Sequence, residues 1–327
     1  MKKNFNQIVS LALTGVLLSI NAFAQNSTAF PTKTVTLVVP FTPSSGSDII
    51  ARIIAPKLAT KWGQPVIVDN KPGASGNLGS QAVAKSAPDG HTLLMAINTF
   101  TMTPSIYKNL GFDPIGDFSP ITKLAVSGFA FAVNPTLPVK DIKSLIELAK
   151  KNGGKLNYAS PGNGTPHHLA MELFKSSYQL DILHVPYKGI QGALTDLMGG
   201  QVQMMFATVH SARPLEQAGK MRFLAVTGEA RNPNVPDVPT FKEQGIYDME
   251  GLDAWFAVLA PNRTPSETIS RINRDFIEVM NAPDTKAELA QKGLIVATST
   301  PAQLATIIKT DLARWKKVVI DANITAD

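Results

Sequence analysis

A continuous apolar run at 35–39 has the length and composition of a strand covered on both faces. The pattern then changes to helical spacing over 49–58. Ile50, Ile53, Ile54 and Leu58 form one stripe there, and Asp48 stands at the favourable N-terminal end. A strand at 66–69, a small-residue turn at 72–76, a helix at 78–85, a turn at 88–90 and a strand at 92–97 follow. This β-turn-α repetition predicts a parallel, doubly wound sheet. Around 121–133 two apolar runs are broken by Ser127-Gly128, where the chain is expected to cross into a second domain. The alternation then resumes, with helices at 142–151, 168–176 and 193–198 and strands at 155–158, 183–186, 202–207 and 222–227. The apolar run at 255–260 reads as the strand that returns to the first domain. Amphipathic helices at 265–280 and 301–319, each with Pro at its start, complete that domain. The predicted class is α/β with two lobes, 25–125 plus 251–327 in one and 126–250 in the other. Two hinge crossovers lie beside a central cleft.

The first residues stand apart from this pattern. Met1-Lys2-Lys3, the apolar stretch 8–20 and Ala22-Phe23-Ala24 together predict a secretory signal peptide over 1–24, cut before Gln25. The apolar stretch is short for a membrane span. The expected product is a soluble, exported protein. Removing 24 of 327 residues leaves 303, enough for two domains with ordinary cores. Loss of Lys2 and Lys3 lowers the formal charge from +6 to +4. The remaining charge is scattered, without a basic block or interleaved aromatics, which argues against nucleic acid as a partner. With no cysteine, the chain has no disulfide, no thiolate metal site and no cysteine nucleophile.

Two turns carry the candidate chemistry. One reads Pro40-Phe41-Thr42-Pro43-Ser44-Ser45-Gly46-Ser47-Asp48, the other Ala159-Ser160-Pro161-Gly162-Asn163-Gly164-Thr165-Pro166-His167-His168. Each links a strand-like run to a helix-like one. A small-residue turn that opens a helix presents free backbone N–H groups at the positive end of the dipole, which suits an anion and above all a carboxylate. Taken singly, either is compatible with a plain strand-to-helix connection; as a pair they could grip one anion from both sides of a cleft. Rival chemistries find less support. No serine sits in G-x-S-x-G, and neither turn matches a phosphate-binding loop or a dinucleotide fingerprint, so no cofactor is expected. His168 and Glu172 share a helix face but lack a third metal ligand, and His91, His184 and His210 are read as structural or surface groups.

Taken in order, the segments resemble the periplasmic solute-binding proteins of tripartite tricarboxylate transporters, the Bug receptors. The resemblance covers essentially the whole mature chain. It runs through Phe30-Pro31-x-Lys33, Val38-Val39-Pro40-Phe41, Asp48, Ala51-Arg52, Val68-x-Asn70-Lys71-Pro72-Gly73-Ala74 and Pro88-Asp89-Gly90-x-Thr92-Leu93-Leu94. It continues through Asn157-Tyr158-Ala159-Ser160, Gly164-Thr165, His168-Leu169, Val185-Pro186-Tyr187-Lys188-Gly189, Gly200-Gln201-Val202 and Val238-Pro239-Thr240 with Glu243-x-Gly245. The resemblance implies a type II periplasmic-binding fold that closes over its ligand and delivers it to a two-component membrane permease. It also implies that the two turns clamp a carboxylate. The first turn departs from the family's usual Pro-Gly-Gly, reading Pro43-Ser44-Ser45, which adds two hydroxyl groups and removes the easy positive φ of glycine. Ser44 or Ser45 is expected to bond the ligand directly in place of a bridging water.

The resulting expectation is a monomeric, non-catalytic receptor for a small organic carboxylate, with di- or aromatic acids preferred. Phe41, Thr42, Pro43, Ser44 and Ser45 would hold the ligand from the first lobe, with Asp48 bracing the turn. Ser160, Gly162, Asn163, Gly164, Thr165 and His168 would hold it from the second. Asn98, Tyr187, Lys188 and Thr208 are expected at the distal end, where selectivity is set. Two other classes stay open on sequence grounds: a carboxylate-sensing adaptor for a membrane kinase, and an exported hydrolase using Ser44, Ser45 or Ser75.

Overall fold

A computed structural model describes residues 30–321 other than 108, 229, 250 and 251, together with residue 324. The expected signal peptide, 1–24, lies outside the described residues. In chain order the main elements are β1 (Val35–Val39), α1 (Gly46–Trp62), β2 (Val66–Asn70), α2 (Asn77–Ala84), β3 (Thr92–Ile97), α3 (Thr99–Met102), β4 (Phe118–Ser127) and β5 (Phe129–Val133). Then come α4 (Ile142–Asn152), β6 (Asn157–Ser160), α5 (Pro166–Tyr178), β7 (Leu183–Pro186), α6 (Ile190–Met198), β8 (Met204–Thr208), α7 (Val209–Gln217) and β9 (Arg222–Val226). The chain ends with β10 (Ala254–Pro261), α8 (Ser266–Asn281), α9 (Pro283–Gln291), β11 (Ile295–Val296) and α10 (Pro301–Asp321).

These elements build two sheets, one in the order β11-β4-β10-β3-β1-β2 and one in the order β7-β6-β8-β5-β9. As the alternation predicts, β1 is parallel to β2 and β3, and β6 is parallel to β7 and β8. The expectation of wholly parallel sheets is corrected by the crossing strands. β10 is antiparallel to β3 and β4, and β5 is antiparallel to β8 and β9. The reason lies in the crossings themselves. The chain leaves the first sheet at Ser127 and returns to it beside that residue, with Ala254 opposite Ser127 in the ladder. A strand that leaves a sheet and a strand that re-enters it at the same end run in opposite directions, so β4 and β10 pair antiparallel.

Strand alternation sends each sheet's apolar residues to two covered faces. In the first sheet Val35, Leu37 and Val39 pack with Ile50, Ile54 and Leu58 of α1 and with Ile272 and Phe276 of α8. Val38, Leu94 and Ala96 take the other face with Leu304 and Ile308 of α10. In the second sheet Phe129, Phe131, Tyr158 and Phe206 meet Leu169 and Phe174 of α5. Small residues line its opposite face, where Ala130, Ala132, Ala159 and Ala207 lie under Leu194 and Leu197 of α6. Helix α10 serves both lobes, because Trp315, Val318 and Val319 near its end join the aromatic core of the second sheet. Among the described residues no helix is long and apolar enough to cross a membrane.

Candidate ligand-binding site

Parallel strands deliver their C-terminal ends to one edge of a sheet, and this places most of the candidate residues. The turn from Phe41 to Asp48 follows β1, and Asn98 follows β3 at the same edge. In the second sheet Ser160 ends β6, Tyr187 and Lys188 follow β7, and Thr208 ends β8, again at one edge. Ser160 is therefore a strand residue, two positions beyond the strand end read from the sequence. Ligands of open α/β sheets bind at such edges.

The first turn is built around a buried carboxylate. Ser45 is the N-cap of α1, its Oγ accepting from the Asp48 amide at 3.4 Å. Asp48 is 2% exposed and accepts from the Ser44 amide at 2.9 Å, from Arg52 Nε at 3.0 Å and from Asn70 Nδ2 at 3.0 Å. The same Asn70 amide donates to the Phe41 carbonyl at 3.0 Å, tying the turn to the end of β2. Burial opposes ionisation of Asp48, but the bonds from Arg52, the Ser44 amide and Asn70 outweigh it and hold the carboxyl below its ordinary range. Ser44 takes a left-handed φ of +67°, a geometry that favours glycine. Thr42, Pro43 and Ser44 are exposed, so the Ser44 side chain reaches solvent, whereas Ser45 is half-buried with its hydroxyl on the Asp48 amide. Gly46 opens the helix where a Cβ would stand 2.6 Å from the ring of Phe256, so the helix end and β10 meet only because that Cβ is missing.

The second turn repeats this plan with different atoms. Thr165 caps α5, its Oγ1 accepting from the His168 amide at 3.5 Å. Gly164 takes φ +70°, and its amide donates to His168 Nδ1 at 3.0 Å. The acceptor role of Nδ1 places the ring proton on Nε2. His168 stacks on His184 with centroids 4.1 Å apart, and His184 stacks on Tyr158 at 4.6 Å. His184 also meets the buried Ser160 hydroxyl at 2.7 Å, and that hydroxyl donates to the Gly162 carbonyl at 3.1 Å. Burial, with Lys175 nearby, pushes His168 down to about 4, so the imidazole is neutral at neutral pH. A Cβ at Gly164 would lie 2.8 Å from Ile106 Cδ1, so this turn is packed against the segment after α3. Asn163 occupies the same turn, partly buried.

The remaining candidates divide. Tyr187 donates its hydroxyl to Asp196 of α6 at 2.6 Å, and its amide bonds the Ser160 carbonyl at 2.9 Å, so its groups hold the edge together. Burial and Asp196 push its hydroxyl up to about 12. Lys188 is exposed. Thr208 caps the start of α7, hydrogen-bonded through its hydroxyl to Ser211. Asn98 is 2% exposed, and its side-chain oxygen is buried without a partner among the described residues.

Sequence reading missed a group of histidines where the lobes meet. His210, at the second position of α7, bonds Ser127 Oγ through Nδ1 at 3.0 Å. Its Cε1 lies 3.7 Å from where a Cβ of Gly46 would stand, which brings α7 of the second sheet against α1 of the first. His167 sits edge-on to Phe129 with centroids 5.0 Å apart. Burial and the nearby His210 push His167 down to about 3, and burial pushes His210 to about 4. No spacing in the sequence marks this group, because its members come from α5, α7 and the strand crossing. Elsewhere, a crevice of about 310 Å³ between the C-terminal halves of α5 and α10 contains none of the candidate residues. Among the described residues no cluster of three or more His, Asp or Glu is placed to hold a metal.

The sequence profile described as "Tripartite tricarboxylate transporter family receptor" matches residues 50–324. The chain belongs to this receptor family. It is 36% identical over 319 residues to a UPF0065 protein encoded between tcbD and tcbE in a Pseudomonas species, covering 96% of this chain and 95% of that protein. Among solved structures, Rpa4515 of R. palustris with adipate superposes with a TM-score of 0.83 at 34% identity, covering 91% of this chain and all of that one. MatC of Rhodopseudomonas palustris with bound malate gives 0.78 at 30% identity, covering 89% of this chain and all of that one. The receptor-family fold, two lobes joined by two crossings around a cleft, agrees with the two sheets described above.

Proposed function

We propose that this receptor captures a small organic carboxylate in the cleft between its lobes and presents it to a two-component membrane permease. Export through the signal peptide over 1–24 would place it in the periplasm, where it acts without catalysis. One observation carries the reading. Two turns at the C-terminal edges of two sheets share one plan: a left-handed residue, a hydroxyl N-cap and a third helical residue that bonds back to the turn. Each turn is thus fixed by its own bonds. In the first, the amides of Gly46 and Ser47 lie within the opening turn of α1, where no carbonyl of the helix reaches them. Neutral, prepositioned donors of this kind stabilise an anion without the desolvation cost of a buried cation.

The two ligands in the neighbouring structures, adipate and malate, are both dicarboxylates, which supports a di-acid over a mono-acid here. Hydrolysis gains no support from the serines first considered for it. Ser45 Oγ serves the Asp48 amide, and Ser75 Oγ meets the Tyr107 hydroxyl at 3.1 Å. The test is a thermal-shift screen of mono-, di- and tricarboxylates, amino acids and aromatic acids on protein refolded to remove retained ligand. A ligand at a hundred times its Kd adds about 2.7 kcal/mol, a readily visible rise in Tm. If no carboxylate raises Tm, the proposed function is wrong.

A further inference from the structure

We propose that His167 is a specificity-determining residue of this receptor, hydrogen-bonding the second polar group of a bifunctional acid whose first carboxylate lies between the two turns. The inference rests on the carboxylate reading above and adds a residue and a ligand feature to it.

His167 lies near His210, and through His210 the N-termini of α5, α7 and α1 are brought into one region. His167 is the second residue of α5, one position before the histidine that braces the second turn. His210 is the second residue of α7 and reaches the first residue of α1. Convergent positive helix ends, from helices of seventeen, thirteen and nine residues, favour negative charge in the space between them. By itself that convergence would indicate only a general preference. His167 adds the decisive observation: both ring nitrogens are buried and neither has a hydrogen-bond partner among the described residues. A neutral imidazole has one N–H donor and one lone pair, and leaving both unmet costs free energy that folding must offset elsewhere. The neighbouring histidines do not share this condition. His210 is bonded to Ser127, and His168 accepts from Gly164. The edge-on contact with Phe129 restricts the His167 ring before any ligand arrives. The ring N–H suits a carboxylate oxygen, a hydroxyl group can pair with either nitrogen, and a purely apolar ligand tail would leave both unpaired.

His167→Phe keeps the ring and its contact with Phe129 while removing the hydrogen bonds, and His167→Gln restores a donor and an acceptor. Titration calorimetry would compare each protein with a dicarboxylate and with the monocarboxylate of equal chain length. His167→Phe is expected to weaken the dicarboxylate about tenfold to a hundredfold, the scale of one charge-assisted hydrogen bond, and to leave the monocarboxylate within about twofold. His167→Gln should recover part of the loss. Equal weakening of both ligands, or none, overturns the role of His167 while leaving the carboxylate reading intact. Failure of every carboxylate to bind the unmodified protein overturns both. Imidazole ¹⁵N signals give a variant-free check, since dicarboxylate addition should move the His167 nitrogens and an unmoved pair would overturn the assignment.

Discussion

The two turns superimpose in logic and differ in what they tolerate. Ser44 and Gly164 hold nearly the same left-handed φ, and each spends its amide on the side chain four residues ahead. Ser44 is exposed, so a side chain there costs backbone strain and little else. Gly164 faces Ile106, so a side chain there would cost strain and a steric clash together. The departure from glycine in the first turn is therefore permitted by its open surroundings, and the second turn has no such latitude. The braces differ as well. Asp48 is an ionised carboxylate balanced by Arg52, and His168 is a neutral ring inside an aromatic stack.

Gly164→Ala should be the most damaging single change to this pairing, losing about 2–4 kcal/mol in urea unfolding from the combined strain and contact with Ile106. A loss under 1 kcal/mol would show that the second turn is as permissive as the first. The braces should separate by pH. The buried His168 has a folded value of about 4 against an ordinary 6.5, so the unfolded state takes up the proton first. Its contribution is complete above pH 6.5 and falls as pH drops towards 4, a loss of roughly 3 kcal/mol. His167 and His210 act in the same direction. Asp48, with its value held below 3.8, keeps its contribution until the pH falls below that point. Unfolding of His168→Gln measured from pH 7 to 4 should show a shallower decline than the unmodified protein; an unchanged slope would remove His168 as the acid-sensitive brace. The smallest effect is expected of Ser44→Gly. Relief of left-handed strain and the added entropy of glycine nearly cancel, leaving stability within about 1 kcal/mol. An affinity change in that variant would then report a direct contact of the Ser44 hydroxyl with ligand.

Sequence patterning exposed the framework wherever chemistry was local. The strands β1 and β3, the helix α1 and the two small-residue turns all follow from periodicity and turn composition. The Ser44 position was legible as a departure from glycine, but its retained φ was not, because solvent access decides it. Helix α7 escaped notice because Pro214 interrupts its pattern, and β11 because it is two residues long. The His168–His184–Tyr158 stack was invisible for another reason: ladder register puts Tyr158 beside His184, and no linear spacing encodes that pairing. The same limit hid His167 and His210, which lie on separate helices of the second lobe, and the approach of His210 to Gly46 of the first.

The position of β10 has a consequence for the order in which the molecule is completed. It lies between β3 and β4 in the first sheet, yet it is made only after the whole of the second sheet. Until Ala254–Pro261 arrives, β3 and β4 each lack a neighbour, and an unpaired strand edge is an invitation to the wrong partner. The lobe that is synthesised first is thus the last to be finished, and a chain stopped before residue 254 would leave it open at its centre.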